Sequence, residues 1–325
     1  MKINLKFNPL LFQASLAAGG VALMAFNFLQ FTIPHEKGLV TISDIIWSSF
    51  SLFDFTKNMI LVGIMLLFVL IHFILTFVFL VKLFKWIIDG KEFNGLISDP
   101  YKNVWLFVPI SSLAMSANVF WGSLGFFVDE ISAKLQNYML PSMILFGLLL
   151  IFLMILEMKV FKLWLSKEID RSKFNFVWLL DVFSFALVSL TGSGIAAMAV
   201  NSSIASIAAF LSLVTISVGI ILFFIKIIYL VYLQMKAGRL PDDAILPSFF
   251  LVIPIMCLFG LSIYRIFNYS SMFLNIELKG LSFMVLVFSY IVTITWAVFV
   301  VYLIIDYFRN KFLRSDFSPT QWGMV

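Results

Sequence analysis

The sequence predicts an all-α integral membrane protein made of parallel transmembrane helical hairpins, and three observations carry that expectation. The 325 residues are 62% apolar and only 12% charged, with a mean hydropathy of +1.07, far outside the range of soluble domains. Eight apolar runs are each long enough to cross a hydrocarbon core of about 30 Å. The third observation is a repeat. Asn103, Asn175, Pro247 and Pro319 each open an odd-numbered run, at successive intervals of 72 residues.

The runs cover roughly 10–33, 59–82, 103–126, 140–164, 175–200, 204–232, 247–268 and 281–305. Backbone groups in hydrocarbon must be paired within their own segment, so each run reads as a helix. The alternating ten-residue segments of an outer-membrane barrel are missing. Lys2 and Lys6 ahead of the first run imitate a signal peptide. That run is too long for one, so it reads as a retained helix.

Lys and Arg set the orientation. With the N-terminus in the cytoplasm, 16 of them fall inside, and five (Lys37, Lys57, Lys134, Arg265 and Lys279) fall outside, while Lys226 lies within the sixth run. This places the chain in a bacterial inner membrane as a single multi-pass domain spanning 1–325. The net charge of +5 sits between the runs and does not indicate nucleic acid.

Each unit is one hairpin and all enter from the same side, which makes the repeats parallel. The units are about 8–88, 103–165, 175–235 and 247–308, with the start of a fifth at 319–325. The first unit carries an extra outer stretch, 35–57, where Ile42, Ile45, Ile46, Phe50 and Phe53 suggest an interfacial helix. By this period the chain holds eight of ten expected spans.

Within each hairpin the helices differ. Gly, Ala and Ser number 8, 1, 8, 1, 8, 5, 3 and 3 over 22-residue windows of the eight runs. Small residues allow close backbone approach or leave room for passage. Pro109 and Pro254 interrupt odd runs, whereas no proline falls deep in an even one. Together these predict odd helices as an inner ring around a pathway and even helices as an outer ring facing lipid.

The stretches Asn8–Gly20 (NPLLFQASLAAGG), Asp99–Ala117 (DPYKNVWLFVPISSLAMSA), Ser172–Gly194 and Leu240–Ser262 resemble the tellurite-resistance/dicarboxylate transporter (TehA-like) family. That family includes the plant slow-type anion channels. The resemblance implies ten helices in quasi-fivefold order, with odd helices lining a pore for small anions. It also implies a gating phenylalanine on a ninth helix, which no residue of this sequence supplies. A closer likeness is to the bacterial TsoY branch, some members of which resemble selenoproteins. On that reading the stop after Val325 is a UGA codon and a further hairpin follows it.

Candidate pathway residues follow helical spacing. Ser112 and Ser116 form one stripe of the third run, and Asn118 belongs to a second. In the fifth run Phe185, Ser189 and Ser193 align, offering hydroxyl donors to a partly dehydrated anion and a bulky ring as a constriction. Asp181, inside the same run, is a functional candidate because intramembrane carboxylates are expensive. In an anion pathway it must be paired or sit at the rim. His72 reads as a neutral imidazole bridging helices, since a haem or metal would need partner ligands. Glu157 and Lys159 read as a structural pair near the inner end of the fourth run.

Other chemistry is unsupported. The lone Cys257 excludes an intramolecular disulfide, and no phosphate loop, H-E-x-x-H or cysteine cluster occurs. No cofactor, metal or enzymatic activity is expected. Three functions remain open: a conduit for inorganic anions, oxyanions or small carboxylates; a proton-coupled oxyanion or dicarboxylate exporter with Asp181 or Glu157 carrying the proton; and a membrane redox or scaffold protein. A homo-oligomer is left open as well.

Overall fold

The computed structural model describes residues 7–36, 38–314 and 317–324. Lys2, Lys6, Lys37 and Val325, used above, lie outside the described residues. Eight helices are long and apolar enough to span: α1 (Pro9–Thr32), α2 (Leu52–Asp89), α3 (Asn103–Phe127), α4 (Leu135–Ser166), α5 (Phe176–Met198), α6 (Ser202–Ala237), α7 (Leu246–Phe273) and α8 (Lys279–Leu303). Every apolar run of the sequence therefore becomes a helix.

Local chemistry starts each odd helix in the same way. A 3-10 turn leads into the α-helix at Pro9–Leu11, Asn103–Phe107, Phe176–Leu179 and Leu246–Leu251. The side chains of Asn8 and Asn175 accept from the amides of Leu10 and Val177, both at 3.0 Å, satisfying donors that a helix start leaves unpaired. A fifth such turn, Pro319–Met324, follows at the same interval. Glycines with left-handed backbones, Gly90 (φ 69°) and Gly238 (φ 64°), end two of the even helices.

Packing separates the two sets. The most apolar windows of α1, α3, α5 and α7 are 61, 72, 89 and 56% buried, against 22, 33, 44 and 11% for α2, α4, α6 and α8. The odd helices form an inner layer in which α1 meets α3, α3 meets α5, and α5 meets α7. The Pro319–Met324 turn touches both α1 and the leading turn of α7, so it stands between the two ends of the arc. Even helices cover the outside. This is the inner and outer ring that the small-residue pattern predicts.

Polar side-chain pairs show the repeat directly. Ser111 with Ser184, Asn118 with Thr191 and Ser189 with Ser262 bridge successive inner helices, each pair 73 residues apart. An offset of the 72-residue period plus one means that each helix shows residue n to the next helix and n+1 to the previous one. Successive residues point about 100° apart, close to the angle that two neighbours subtend in a ring of about five. The sequence period thus becomes a rotation.

Three details depart from the sequence reading. The 35–57 stretch forms no interfacial α-helix; it makes 3-10 turns at Ile42–Asp44 and Trp47–Ser49, and Phe53 already belongs to α2. Buried Val40 and Ile45 pin this segment to the bundle, so its apolar residues serve packing. Pro141 lies inside α4, because that helix begins at Leu135, before the apolar run. Finally, Phe120–Leu124 of α3 is a turn of π-helix, which no sequence feature announced.

Candidate functional site

The inward face of the ring follows from what the outward face touches. On α5, Asp181, Phe185 and Gly192 meet outer helices: Asp181 pairs with Lys226 of α6, the Cβ of Phe185 lies against Gly219 of α6, and Gly192 abuts Phe146 of α4 and Ser212 of α6. At about 100° per residue these three share one side. The opposite side carries Phe183, Leu187, Leu190 and Gly194. At the end where the 3-10 turns gather, a small cavity of about 10 Å³ lies between Gln13 of α1, Val177 and Leu180 of α5, Ser248 and Leu251 of α7, and Thr320 and Gly323. Such a volume accommodates about one water. Its polar atoms come from three different repeats.

The sequence-derived residues divide between this face and the seams. Ser112 bonds Ser15 of α1 at 2.7 Å, Asn118 donates to Thr191 at 2.9 Å, and Ser189 bonds Ser262 at 3.1 Å. All three therefore stand in seams between inner helices. Ser193 donates to the carbonyl of Leu190 in its own helix. Phe185 is fully buried on the side facing α6. Pro109 and Pro254 fall in the first turn of the α-helical segments Val108–Val119 and Val252–Phe273, just after the 3-10 turns. There a missing N–H leaves nothing unpaired, so both prolines set the junction rather than a mid-helix kink.

His72 bridges helices. Its Nδ1–H donates to the Ser15 carbonyl at 2.7 Å, which leaves Nε2 as the acceptor facing the Ser116 hydroxyl at 2.9 Å. Gly19 makes room for this ring, for a Cβ there would stand 2.9 Å from Nδ1. No group of three or more potential metal ligands occurs among the described residues.

Behind the ring lies a buried charge cluster. Asp181 and Lys226 form an ion pair with both side chains almost fully enclosed. Lys226 also donates to the Trp178 carbonyl at 3.1 Å and lies over the rings of Trp164 (4.3 Å) and Trp178 (4.4 Å). Asp181 accepts from the amide of Val182 at 2.6 Å. Glu157 of α4 faces the same pair and interacts electrostatically with both Asp181 and Lys226, yet neither of its buried carboxylate oxygens has a partner at hydrogen-bond distance among the described residues. The expected Glu157–Lys159 pairing does not form. Two residues apart on a helix, they point to opposite sides, and Lys159 is exposed. Lys226 was visible in the sequence as a cation inside an apolar run; the signal for its partner was a single Asp in the preceding run.

A family model described as voltage-dependent anion channel matches residues 6–325. The chain belongs to the voltage-dependent anion channel (SLAC1) family. Membership fixes the broad function as anion channel or transporter, in a multi-pass membrane protein. No protein with a curated description and no solved structure matches the chain. Arg265 is the residue whose position the sequence count described least well. It was assigned to the outer surface, but it sits inside α7, about 12 Å from the end of that helix.

Proposed function

We propose that this SLAC1-family protein is a membrane conduit for small anions, with its pathway along the inward faces of α1, α3, α5 and α7. The observation that carries this reading is the cavity at the convergence of the 3-10 turns, lined by Gln13, Ser248 and Thr320 from three repeats. The Ser248 and Thr320 hydroxyls donate to the carbonyls of Ile245 and Ala244, and the Gln13 amide is the side chain left to meet an ion. A neutral amide suits an anion that sheds part of its water without being trapped. Ser112, Asn118 and Ser189 hold the seams and keep lipid out, and Ser116 anchors α2 through His72. The excess of Lys and Arg near the end with the turns supports a cytoplasmic position for that end.

The test is anion flux in proteoliposomes. Replacing Leu251 or Ser248 by Trp fills the cavity and abolishes flux while the protein stays folded. Ile228→Trp, on the lipid face of α6, leaves flux unchanged. Equal flux through all three variants would overturn the assignment of the pathway.

A second reading, proton-coupled movement of an oxyanion or dicarboxylate, is favoured by Glu157. A buried carboxyl group beside an Asp–Lys pair, with no partner at hydrogen-bond distance among the described residues, is a suitable place to hold a proton. Flux that ignores an imposed pH gradient, in the parent and in Glu157→Gln alike, would exclude it.

A further inference from the structure

Arg265 of α7 reaches across to α5. Its Nη1 donates to the Leu190 carbonyl at 3.1 Å, and a Cβ on Gly194 would stand 2.9 Å from the same nitrogen. The Trp121 ring, coming from α3, would approach that Cβ to 3.3 Å. Side chains from both neighbouring inner helices therefore meet over one glycine of α5. Gly192, two residues earlier and about 200° around the helix, is the one that faces the outer helices. Gly194 and the guanidinium above it consequently look into the ring. Trp121 lies within the π-helical turn Phe120–Leu124 and its indole N–H donates to Ser142 of α4; such turns concentrate at functional sites.

Arg265 is partly buried, and Leu190 is the one hydrogen-bond partner of its guanidinium among the described residues. No carboxylate among the described residues pairs with it. Its Nε–H and Nη2–H edge thus has no protein acceptor. A fixed cation inside an apolar ring requires a counter-charge, and this edge has the fork geometry that matches two oxygens of a planar oxyanion.

Resting on the anion-conduit reading, we propose that Arg265 forms a binding site for the permeating ion, selective for planar oxyanions such as nitrate or formate over chloride. Gly194 is part of the site, because any side chain there would displace the guanidinium. Chloride, a single-point acceptor, engages only one N–H of the fork.

Two measurements on the full chain decide it. In detergent, nitrate at constant ionic strength raises the unfolding temperature above that in gluconate, and more than chloride does. Arg265→Gln, which removes the charge and the fork, weakens the apparent nitrate affinity roughly tenfold to a hundredfold, the loss expected for a charged hydrogen bond. Arg265→Lys keeps the charge and binds anions, with the preference for nitrate over chloride lost. In proteoliposomes, nitrate flux in Arg265→Gln falls by a similar factor and Gly194→Ala follows it. Parent protein with no nitrate stabilisation beyond that of chloride overturns the site, whatever the variants do. Parent flux retained with Arg265→Gln unchanged in both assays also overturns it, yet leaves the conduit standing; absence of anion flux in the parent would instead sink the conduit itself.

Discussion

Lys226→Met is the most exacting test of the buried cluster. The substitution keeps the apolar stem of the side chain and removes the ammonium, about 16 Å from the end of α6. Asp181 then retains one hydrogen bond, from the Val182 amide, and loses its counter-ion. Removing one partner of a buried ion pair costs about 3–5 kcal/mol, because the remaining charge is left uncompensated. Loss of the contacts with Trp164 and Trp178 adds to this, since a desolvated cation–π contact is worth about 2 kcal/mol. The double variant Lys226→Met/Asp181→Asn has no orphan charge, so it recovers at least about 2 kcal/mol relative to the sum of the single changes. Equilibrium unfolding of detergent-solubilised protein with sodium dodecyl sulfate, followed by tryptophan fluorescence, measures all four corners of the cycle. If Lys226→Met lies within about 1 kcal/mol of the parent and the two changes simply add, the pair does not behave as a buried unit and the argument is wrong.

Packing of the outer ring gives a matched comparison. Gly219→Ala places a methyl 2.6 Å from the Phe259 ring and 2.8 Å from the Phe185 Cβ, and loses about 1–3 kcal/mol in the same unfolding assay. Gly147→Ala, with nothing within 4 Å of the added carbon, is neutral or stabilising by up to about 1 kcal/mol. His72→Leu removes both bridges from α2 to α1 and α3 and destabilises by roughly 1–3 kcal/mol, with Gly19→Ala disturbing the same contact. Cys257 is exposed on α7 beside Thr293 of α8. A membrane-permeant thiol reagent therefore labels it in vesicles while a charged one does not; equal labelling by both would place this surface in water.

Much of the architecture was readable without coordinates. Hydropathy is summed along the chain, so the eight spans appear in any window of the right length. The interval of 72 and the count of small residues belong to the chain as well, and in the first three hairpins they distinguish the inner from the outer helix before any helix is placed. The misreadings come where the outcome depends on neighbours. The 35–57 stretch has apolar residues enough for an interfacial helix, yet Val40 and Ile45 are drawn into the bundle and the backbone follows them. Pro109 and Pro254 look like kinks only while the preceding 3-10 turns are unknown.

The sequence by itself determined how many apolar helices there are, that they come as parallel hairpins, and, for the first three hairpins, which member is buried. Only the tertiary structure decided which side of each helix faces the ring. Rotating a helix by one residue turns every side chain about 100° without altering its hydropathy, so composition cannot fix that angle; contacts must. Those contacts turned Phe185 and Asp181 toward the outer layer, set Ser112, Asn118 and Ser189 into the seams, and brought Arg265 over Gly194.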